Sequence, residues 1–266
     1  MKNQLLFLAA SLLFANAYAQ KQPAVQQTGL RAPADVKIDG KTTEWGDLNT
    51  YNTATELHYL IANNDKKLFF AMQTTDPDVI NRIASGGISV IFKKKNSSSN
   101  DAVSIQYPVL KNRSNLFFRI RTPKNSIPDN SRKAADSTMR VNNQTLDNLA
   151  KWIKVAGVQG LDTLSIYNEN GIEANIRFDA KKVLTVEMSL PLELVKTHIN
   201  QSSGLTYQLR VNGATPPNIT FGPLTGSTLD AEGQAKLMES MRASVDMVNS
   251  RLSATTDFWG EYTLAK

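Results

Sequence analysis

The sequence predicts a mainly β protein: an antiparallel β-sandwich, jelly-roll or immunoglobulin-like, with one or two helical insertions. Two observations lead to this prediction. Strand-like runs of about 5 to 10 residues recur along the chain, bounded by Asn, Asp, Ser or Gly. These runs do not alternate regularly with helical patterns, as the strands of a parallel α/β sheet would. Since the chain has 41% hydrophobic residues and no cysteine, its stability must come from burial rather than from disulfides.

The N-terminal residues 1–19 have the features of a signal peptide. Lys2 precedes the apolar run "LLFLAASLLFA", which is too short to span a bilayer, and "NAYA" ends in a small-x-small cleavage pattern. We therefore expect an exported protein, periplasmic or secreted, without a transmembrane span. With no cysteine after the signal peptide, it is not expected to be a lipoprotein. Residues 20–34, rich in Gln, Pro and Ala, are predicted as a flexible leader, and residues 35–266 as a single domain.

The domain begins with "DVKIDG", which alternates apolar and polar residues into a tight Asp39-Gly40 turn. The segment "ELHYLIANNDKKLFFAMQTTD" is the clearest hairpin, because two apolar runs flank the turn-forming "NNDKK". Further strands are predicted over residues 87–92, 101–110, 115–122, 162–168, 171–178, 183–191, 205–213 and 258–265.

Two segments, near residues 143–155 and 229–252, have apolar residues at helical spacing instead. The apolar stripe of the first consists of Leu146, Leu149, Trp152 and Ile153. The stripe of the second consists of Leu237, Met238, Met241, Val245 and Val248. Both stripes are expected to pack on the sandwich.

The formal net charge of +6 does not indicate a nucleic-acid partner, because an exported chain rarely meets nucleic acid. The basic residues are also scattered, apart from "FKKKN" at 92–96, which is predicted to be a solvated hairpin tip.

Four pieces of the sequence together resemble a known family: "VKIDGKTTEWGDL", "LIANNDKKLFFAMQTTDPD", "LTVEMSLPLELV" and the closing "DFWGEYTLA". In this order they are similar to the family 9 carbohydrate-binding-module-like domains, part of the DOMON-like group of β-sandwiches that bind sugars or haem. The resemblance covers residues 35 to 265. It implies a non-catalytic module whose partner is a glycan or another envelope or extracellular ligand.

The resemblance also implies roles for several aromatic residues. Trp45 is expected to pack over one end of the core, and Trp259 to be structural inside the last strand. Sugar binding in the family uses flat aromatic rings, and Trp152 is the tryptophan that remains for this purpose. Tyr107 and Tyr167 are its candidate companions. The alternative for Trp152 is a core position, because an aromatic on a helical stripe is usually buried.

Glu187, in "TVEMSLP", fills a position at which the family has an acid. We interpret it as structural, with its oxygens anchoring a neighbouring loop.

No cofactor is required by this interpretation, although some members of the family hold calcium. Asp76 and Asp78 of "TTDPD" have the oxygen ligands that calcium prefers, while Asp-Pro also starts turns. The haem branch of the group needs axial ligands such as His and Met. His58 and Met72 lie on adjacent arms of the predicted hairpin and offer either such a pair or an ordinary packed contact.

The sequence does not predict an enzyme. A thiol nucleophile is excluded by the lack of cysteine, and neither G-x-S-x-G nor G-x-x-x-x-G-K-[ST] occurs. Three functions remain: a glycan-binding module, a structural or protein-interaction sandwich that has lost the sugar site, and a haem- or metal-binding DOMON-like protein. An exposed aromatic on one face would distinguish the first. Full burial of Trp152 and of the 229–252 stripe would distinguish the second.

Overall fold

A computed structural model of the protein describes residues 24–94, 101–111, 118, 131–200, 202–216, 221–222 and 229–266, with the backbone alone for 131–135. The strands are β1 (Leu30–Arg31), β2 (Thr50–Asn52), β3 (Leu57–Asn63), β4 (Lys67–Thr74), β5 (Ile88–Phe92), β6 (Val103–Val109), β7 (Trp152–Ala156), β8 (Thr163–Ser165), β9 (Glu173–Phe178), β10 (Leu184–Pro191), β11 (Gly204–Val211) and β12 (Thr256–Thr263). The helices are α1 (Pro77–Gly86), α2 (Ser131–Leu149), a 3₁₀ helix (Leu192–His198) and α3 (Ala231–Ser253).

The strands form two six-stranded sheets. Sheet A has the order β1-β3-β4-β10-β9, with β2 also paired to β3, and sheet B has the order β12-β11-β5-β6-β7-β8. Every pairing is antiparallel except the short parallel contact between β1 and β3. The predicted fold class, a mainly β antiparallel sandwich with helical insertions, is confirmed.

The main core lies between the two sheets. Alternate residues of each strand point inward, which is the pattern expected of a sandwich. Phe70 of β4 meets Phe92 of β5 with ring centroids 6.0 Å apart. The hydroxyls of Tyr59 (β3) and Tyr207 (β11) are hydrogen-bonded at 3.1 Å, so even the polar atoms of this core are paired across it.

A second, smaller core covers the outer face of sheet A. The chain before β2 folds back across β3 and β4, and Trp45 packs its ring against Phe69 at a centroid distance of 5.8 Å. Leu48, from the same segment, is buried against this layer. Trp45 therefore has the structural role that the sequence predicts, over an outer face rather than over an end of the main core.

Glu187 of β10 joins this covering segment to the sheet. Its side chain is fully buried, and Oε2 accepts hydrogen bonds from the backbone N–H groups of Asp39 (3.1 Å), Gly40 (2.7 Å) and Lys41 (3.2 Å). Its Oε1 accepts one from Nε1 of Trp45 at 2.7 Å. Burial raises the pKa of the Glu187 carboxyl to about 7, while the bonds from Trp45 and Gly40 lower it. The predicted anchoring role of this glutamate is confirmed.

The start of the chain departs from the predicted flexible leader. From residue 24 onward the chain is docked, since the side chain of Gln26 donates to the carbonyl of Ile61 and accepts from its N–H, both at 2.8 Å. Leu30 and Arg31 then form β1. A glutamine can complete the backbone pairing of an edge strand, and composition alone does not reveal this. Residues 1–19 lie outside the described part of the chain.

The first helical segment is displaced from its predicted position. The helix α2 ends at Leu149, and Trp152 begins strand β7 instead of continuing the helix. Leu146 is buried at helical spacing, whereas Ile153 and Val155 are buried at strand spacing. The helical and the strand spacing of apolar residues adjoin within a few residues, so the sequence pattern predicted one continuous helix.

The second helix, α3, forms where it is predicted, but its apolar stripe does not pack fully on the sandwich. Leu237 and Val248 are 41% and 51% exposed, and Leu252 is the buried residue of the helix. The docking contacts are at its C-terminal end, where Arg251 pairs with Asp78 of α1 at 3.1 Å. Helical spacing identifies an apolar side but not what covers it.

Two further predictions concern the limits of the described chain. The strand predicted over 115–122, apart from Phe118, and residues 95–96 of the basic run lie outside the described residues.

Among the helices of the described residues, none has the length and apolar character needed to cross a membrane.

Candidate functional site

The outer face of sheet B, which points away from the main core, is the candidate functional site. In β12 the side chains of Phe258 and Tyr262 are buried inward, so Trp259 between them must point outward. Its side chain is 46% exposed. This corrects the expectation that Trp259 is structural, because the strand places it on the solvent side of the sheet.

Polar side chains of β11 and β12 surround Trp259. Gln208 lies directly across from it, and Arg210 pairs with Asp257 in the next row of the same face. Nη2 of Arg210 donates to Oε1 of Gln208 at 3.0 Å. We call these four residues, Trp259, Gln208, Arg210 and Asp257, the Trp259 cluster.

The Arg210–Asp257 pair does not use all of its hydrogen-bonding groups. Nε of Arg210 lies 3.5 Å from Oδ2 of Asp257, outside hydrogen-bond geometry, and this buried nitrogen has no hydrogen-bond partner. Both side chains are about one-third exposed. A ligand hydroxyl beside the pair could donate to the carboxylate of Asp257, but it could accept from Nε of Arg210 only if the guanidinium moved, because this nitrogen has almost no accessible surface.

The polar row of Arg210 continues across the sheet. The strand registers align residues from six strands in this row, namely Asp257, Arg210, Ser89, Gln106, Lys154 and Thr163. All of these side chains can donate or accept hydrogen bonds. The outer face of sheet B therefore combines an exposed aromatic ring with a line of polar groups, in which Ser89 is buried and Gln106 already donates to the carbonyl of Gly86.

Trp152 and Tyr167 lie near the other edge of this face. Trp152 is half-buried, and Nζ of Lys111 lies 3.2 Å from the centroid of its ring, as in a cation–π contact. Trp152 pairs with Ser165 of β8, and Tyr167 follows Ser165 by two residues. Tyr167 is 76% exposed, and its hydroxyl accepts a hydrogen bond from Nζ of Lys151 at 3.1 Å. The sheet thus brings these two predicted residues to one edge.

Trp152 and Trp259 cannot clamp one sugar ring between them. Four strand spacings separate β7 from β12 in the order of sheet B. At about 4.8 Å each, these spacings put the two residues about 20 Å apart across the sheet. The two tryptophans would contact separate units of a chain-like ligand.

Tyr107, the third predicted ligand residue, is on the opposite side of the sheet. Its side chain is 2% exposed in the main core, and its hydroxyl donates to the carbonyl oxygen of Ala150 at 3.1 Å. Burial raises the pKa of this phenol above its ordinary value. Tyr107 therefore does not join Trp152 and Tyr167, because successive residues of a strand face opposite sides and Tyr107 occupies a core-facing position of β6.

Asp76 and Asp78 have protein partners at the start of α1. Asp76 is the N-cap, and its Oδ1 accepts from the N–H groups of Asp78 and Val79, both at 2.9 Å. The described residues hold no group of three or more His, Asp or Glu side chains placed to bind a metal ion. Calcium binding by Asp76 and Asp78 stays a prediction.

Replacing Asp76 with alanine should lower the free energy of unfolding by about 1 kcal/mol, because two N–H groups of α1 lose their acceptor. Asp76→Ser, which keeps a capping oxygen without a carboxylate, should retain most of the stability. Urea unfolding with calcium and with chelator measures both. A loss for either variant that occurs only with calcium present would instead indicate a calcium site.

The haem alternative depends on His58 and Met72, and the sheet separates them. His58 of β3 lies opposite Gln73 of β4, and Tyr59 lies opposite Met72. Because Met72 and Gln73 are successive residues of β4, Met72 and His58 face opposite sides of the sheet. Met72 is buried in the main core and Nδ1 of His58 lies 3.3 Å from the carbonyl oxygen of Leu48 on the outer side. These two residues do not form an axial pair.

The sequence analysis missed the polar members of the Trp259 cluster. The alternation of "TDFWGEYT", with Phe258, Gly260 and Tyr262 on one face, would have indicated that Asp257 and Trp259 share the other. Gln208 and Arg210 have no comparable local signal, because they meet Trp259 only through the pairing of β11 with β12.

The fold and this face define the class of the molecule: an antiparallel β-sandwich with an exposed aromatic ring on one outer sheet. No profile of a known protein family matches the chain, and no curated protein does. Among solved structures, the chain is similar to a family 9 carbohydrate-binding module from Caldicellulosiruptor kristjanssonii, which was determined in complex with glucose. The two share 12% sequence identity over 90% of this chain and 96% of the other, with a TM-score of 0.37. A similarity at this level does not establish a family or a ligand.

Proposed function

We propose that this protein is an exported, non-catalytic module that binds glycans on the outer face of sheet B. The observation that carries the proposal is the exposed ring of Trp259 beside Gln208, Arg210 and Asp257. A sugar ring presents C–H groups on one face and hydroxyls at its rim. An aromatic surface next to groups that both donate and accept hydrogen bonds is complementary to that pattern.

The extent of the polar row supports a chain-like ligand. The row crosses all six strands of sheet B, and Trp152 lies towards the far edge with Tyr167 nearby. Several sugar units of a polysaccharide would be needed to contact the Trp259 cluster and this edge together. Calcium is not required by the proposal, and export rests on the predicted signal peptide.

The alternative of a purely structural or protein-interaction sandwich predicts full burial of Trp152 and of the α3 stripe. Trp152 is half-buried, and Leu237 and Val248 are exposed. These positions favour the binding module over a sandwich whose former site is covered by its helical insertions.

Replacing Trp259 with alanine should weaken glycan binding at least tenfold, equivalent to about 1.4 kcal/mol, because the aromatic platform is lost. Since the side chain is 46% exposed, the free energy of unfolding should fall by less than about 1 kcal/mol. A glycan array of the exported chain identifies the ligand, and titration calorimetry then compares the variants.

Tyr167→Ala is the matched control, because it removes an exposed aromatic from the other edge of the face. It should weaken binding of short oligosaccharides less than Trp259→Ala does. Silence of the folded protein across the array would contradict the proposal and favour the interaction function. Loss of binding in Trp152→Ala but not in Trp259→Ala would move the site to the β7 edge.

A further inference from the structure

A polar cleft lies on the outer side of sheet A, away from the Trp259 cluster. Its volume is about 350 Å³, within the range of about 300 to 1,000 Å³ for small-molecule sites. One wall is the chain just before β2, and the other is formed where β3, β4 and the start of β10 meet. The lining residues are Asp47, Leu48, Asn49, His58, Gln73, Thr74, Thr75 and Val183.

The walls of the cleft are held in place by the surrounding structure. Nε2 of Gln73 donates to Oγ1 of Thr42 at 3.2 Å and to Oγ1 of Thr185 at 3.0 Å, which joins the covering segment to two strands. The ring of His58 lies 4.7 Å from that of Tyr51. The part of the cleft formed by Gln73 and His58 is therefore preformed, whereas a ligand would have to order the exposed side chains of Asp47 and Asn49.

The hydrogen bonds within the protein leave mainly acceptor groups available to a ligand in this cleft. Because both donors of the Gln73 amide are directed to hydroxyls, its Oε1 remains, and it accepts from no described residue. The carbonyl of Leu48 can only accept, so Nδ1 of His58 is the donor of this contact, and in the neutral ring Nε2 is then an acceptor. Asp47 adds an exposed carboxylate and Asn49 an exposed amide, neither bonded to a described residue.

This set of groups distinguishes between ligand classes. No lysine or arginine lines the cleft, so a phosphate or sulfate group would find no counter-charge. A single carboxylate is too few for a calcium site, which needs several oxygen ligands. Hydroxyl groups, which donate to acceptors such as Asp47, Gln73 and His58, are the best match. Leu48 and Val183 offer apolar contact for C–H groups.

We propose that this cleft is a second ligand site, which binds a single neutral sugar unit through its hydroxyl groups. The site is independent of the Trp259 cluster, because the two lie on the outer sides of different sheets. A protein with both sites would hold two glycan chains, or two parts of one chain, at the same time. With two chains it would act as a cross-link, and with two parts of one chain it would bind with an avidity that neither site has alone.

The test is an NMR titration of the isotope-labelled protein with D-glucose, D-galactose and D-mannose up to about 50 mM, a range suited to weak sites. We expect the side-chain amide signals of Asn49 and Gln73 to shift and saturate with at least one of them. The double variant Asp47→Ala/Asn49→Ala should weaken this binding at least tenfold, as followed through the Gln73 amide alone because the variant lacks the Asn49 amide. Both side chains are exposed and make no bond to a described residue, so the fold should be kept.

Two further variants keep the test decisive. Asp35→Ala removes an exposed carboxylate of the same covering segment outside the cleft and should leave the affinity unchanged. Trp259→Ala should leave the Asn49 and Gln73 shifts unchanged, even where it abolishes binding on sheet B. Absence of saturable shifts with all three hexoses would overturn the proposal. So would shifts that disappear with Trp259→Ala but persist in the cleft variant.

Discussion

Replacing Glu187 with alanine is expected to lower the free energy of unfolding by about 3 to 4 kcal/mol. Four N–H groups, those of Asp39, Gly40, Lys41 and the Trp45 indole, would lose their common acceptor. The covering segment would also lose its attachment to β10, which exposes the small core beneath it. Urea denaturation followed by circular dichroism and tryptophan fluorescence measures the change, and the fluorescence reports on Trp45 directly.

The interactions of Glu187 can be separated by milder substitutions. In Glu187→Gln one terminal atom can still accept from the three backbone N–H groups, but the other becomes a donor and opposes the indole of Trp45. Its cost should be about half that of alanine. Trp45→Phe keeps a smaller aromatic ring and removes the indole donor. Because both changes break the same hydrogen bond, their effects should be less than additive in a double-mutant cycle.

Glu193→Ala provides the control for loss of a glutamate. Its side chain is 76% exposed and pairs with Lys196 within the 3₁₀ helix, so the change should cost less than about 0.5 kcal/mol. Equal losses for Glu187→Ala and Glu193→Ala would show that the buried network does not anchor the segment.

The second large effect is expected at Gly260, which lies opposite Tyr207 where edge strand β12 pairs with β11. A Cβ atom at Gly260 would lie 2.5 Å from both Cζ and Oη of Tyr207. The tyrosine ring thus occupies the space that the glycine leaves, as in aromatic rescue of a glycine in a sheet. Gly260→Ala should destabilise the protein by about 3 kcal/mol, because the buried ring must leave its position and its bond to Tyr59.

Gly222→Ala is the matched control, since a Cβ there meets no atom of the described residues within 4 Å and the change should be nearly neutral. Thermal unfolding of both variants makes the comparison. In a Tyr207→Leu background, Gly260→Ala should cost markedly less than it does in the native chain. An undiminished cost would attribute the effect to the backbone of β12 rather than to the Tyr207 ring.

Local patterns were sufficient for the fold class and for several elements. The hairpin around "NNDKK" forms β3 and β4, and the apolar period of 229–252 forms α3. Each of these depends on residues within one element, where a period of 2 or 3.6 reflects the backbone geometry. Around residues 146–155 the two periods adjoin, and there the pattern did not show where α2 ends and β7 begins.

The site was less accessible to prediction, because its members come from different strands. Tyr107 and Trp152 looked equivalent as aromatic candidates, yet one is in the main core and the other on the outer face of sheet B. Trp259 was taken as structural although it is the most exposed tryptophan of the chain. An alternating strand has two faces, and the identity of its residues does not always show which face meets the other sheet.

The sequence by itself determined most of the strands and the helix α3, but not β1, β2, β7 or α1. Through the family resemblance it also gave the structural roles of Trp45 and Glu187. Only the tertiary structure decided which aromatic rings meet solvent, which polar residues join Trp259, and that Gln26 closes the edge of β3. The physical reason is that periodicity is a property of one chain segment. Exposure and clustering, by contrast, depend on which segments pair and which sheet covers them.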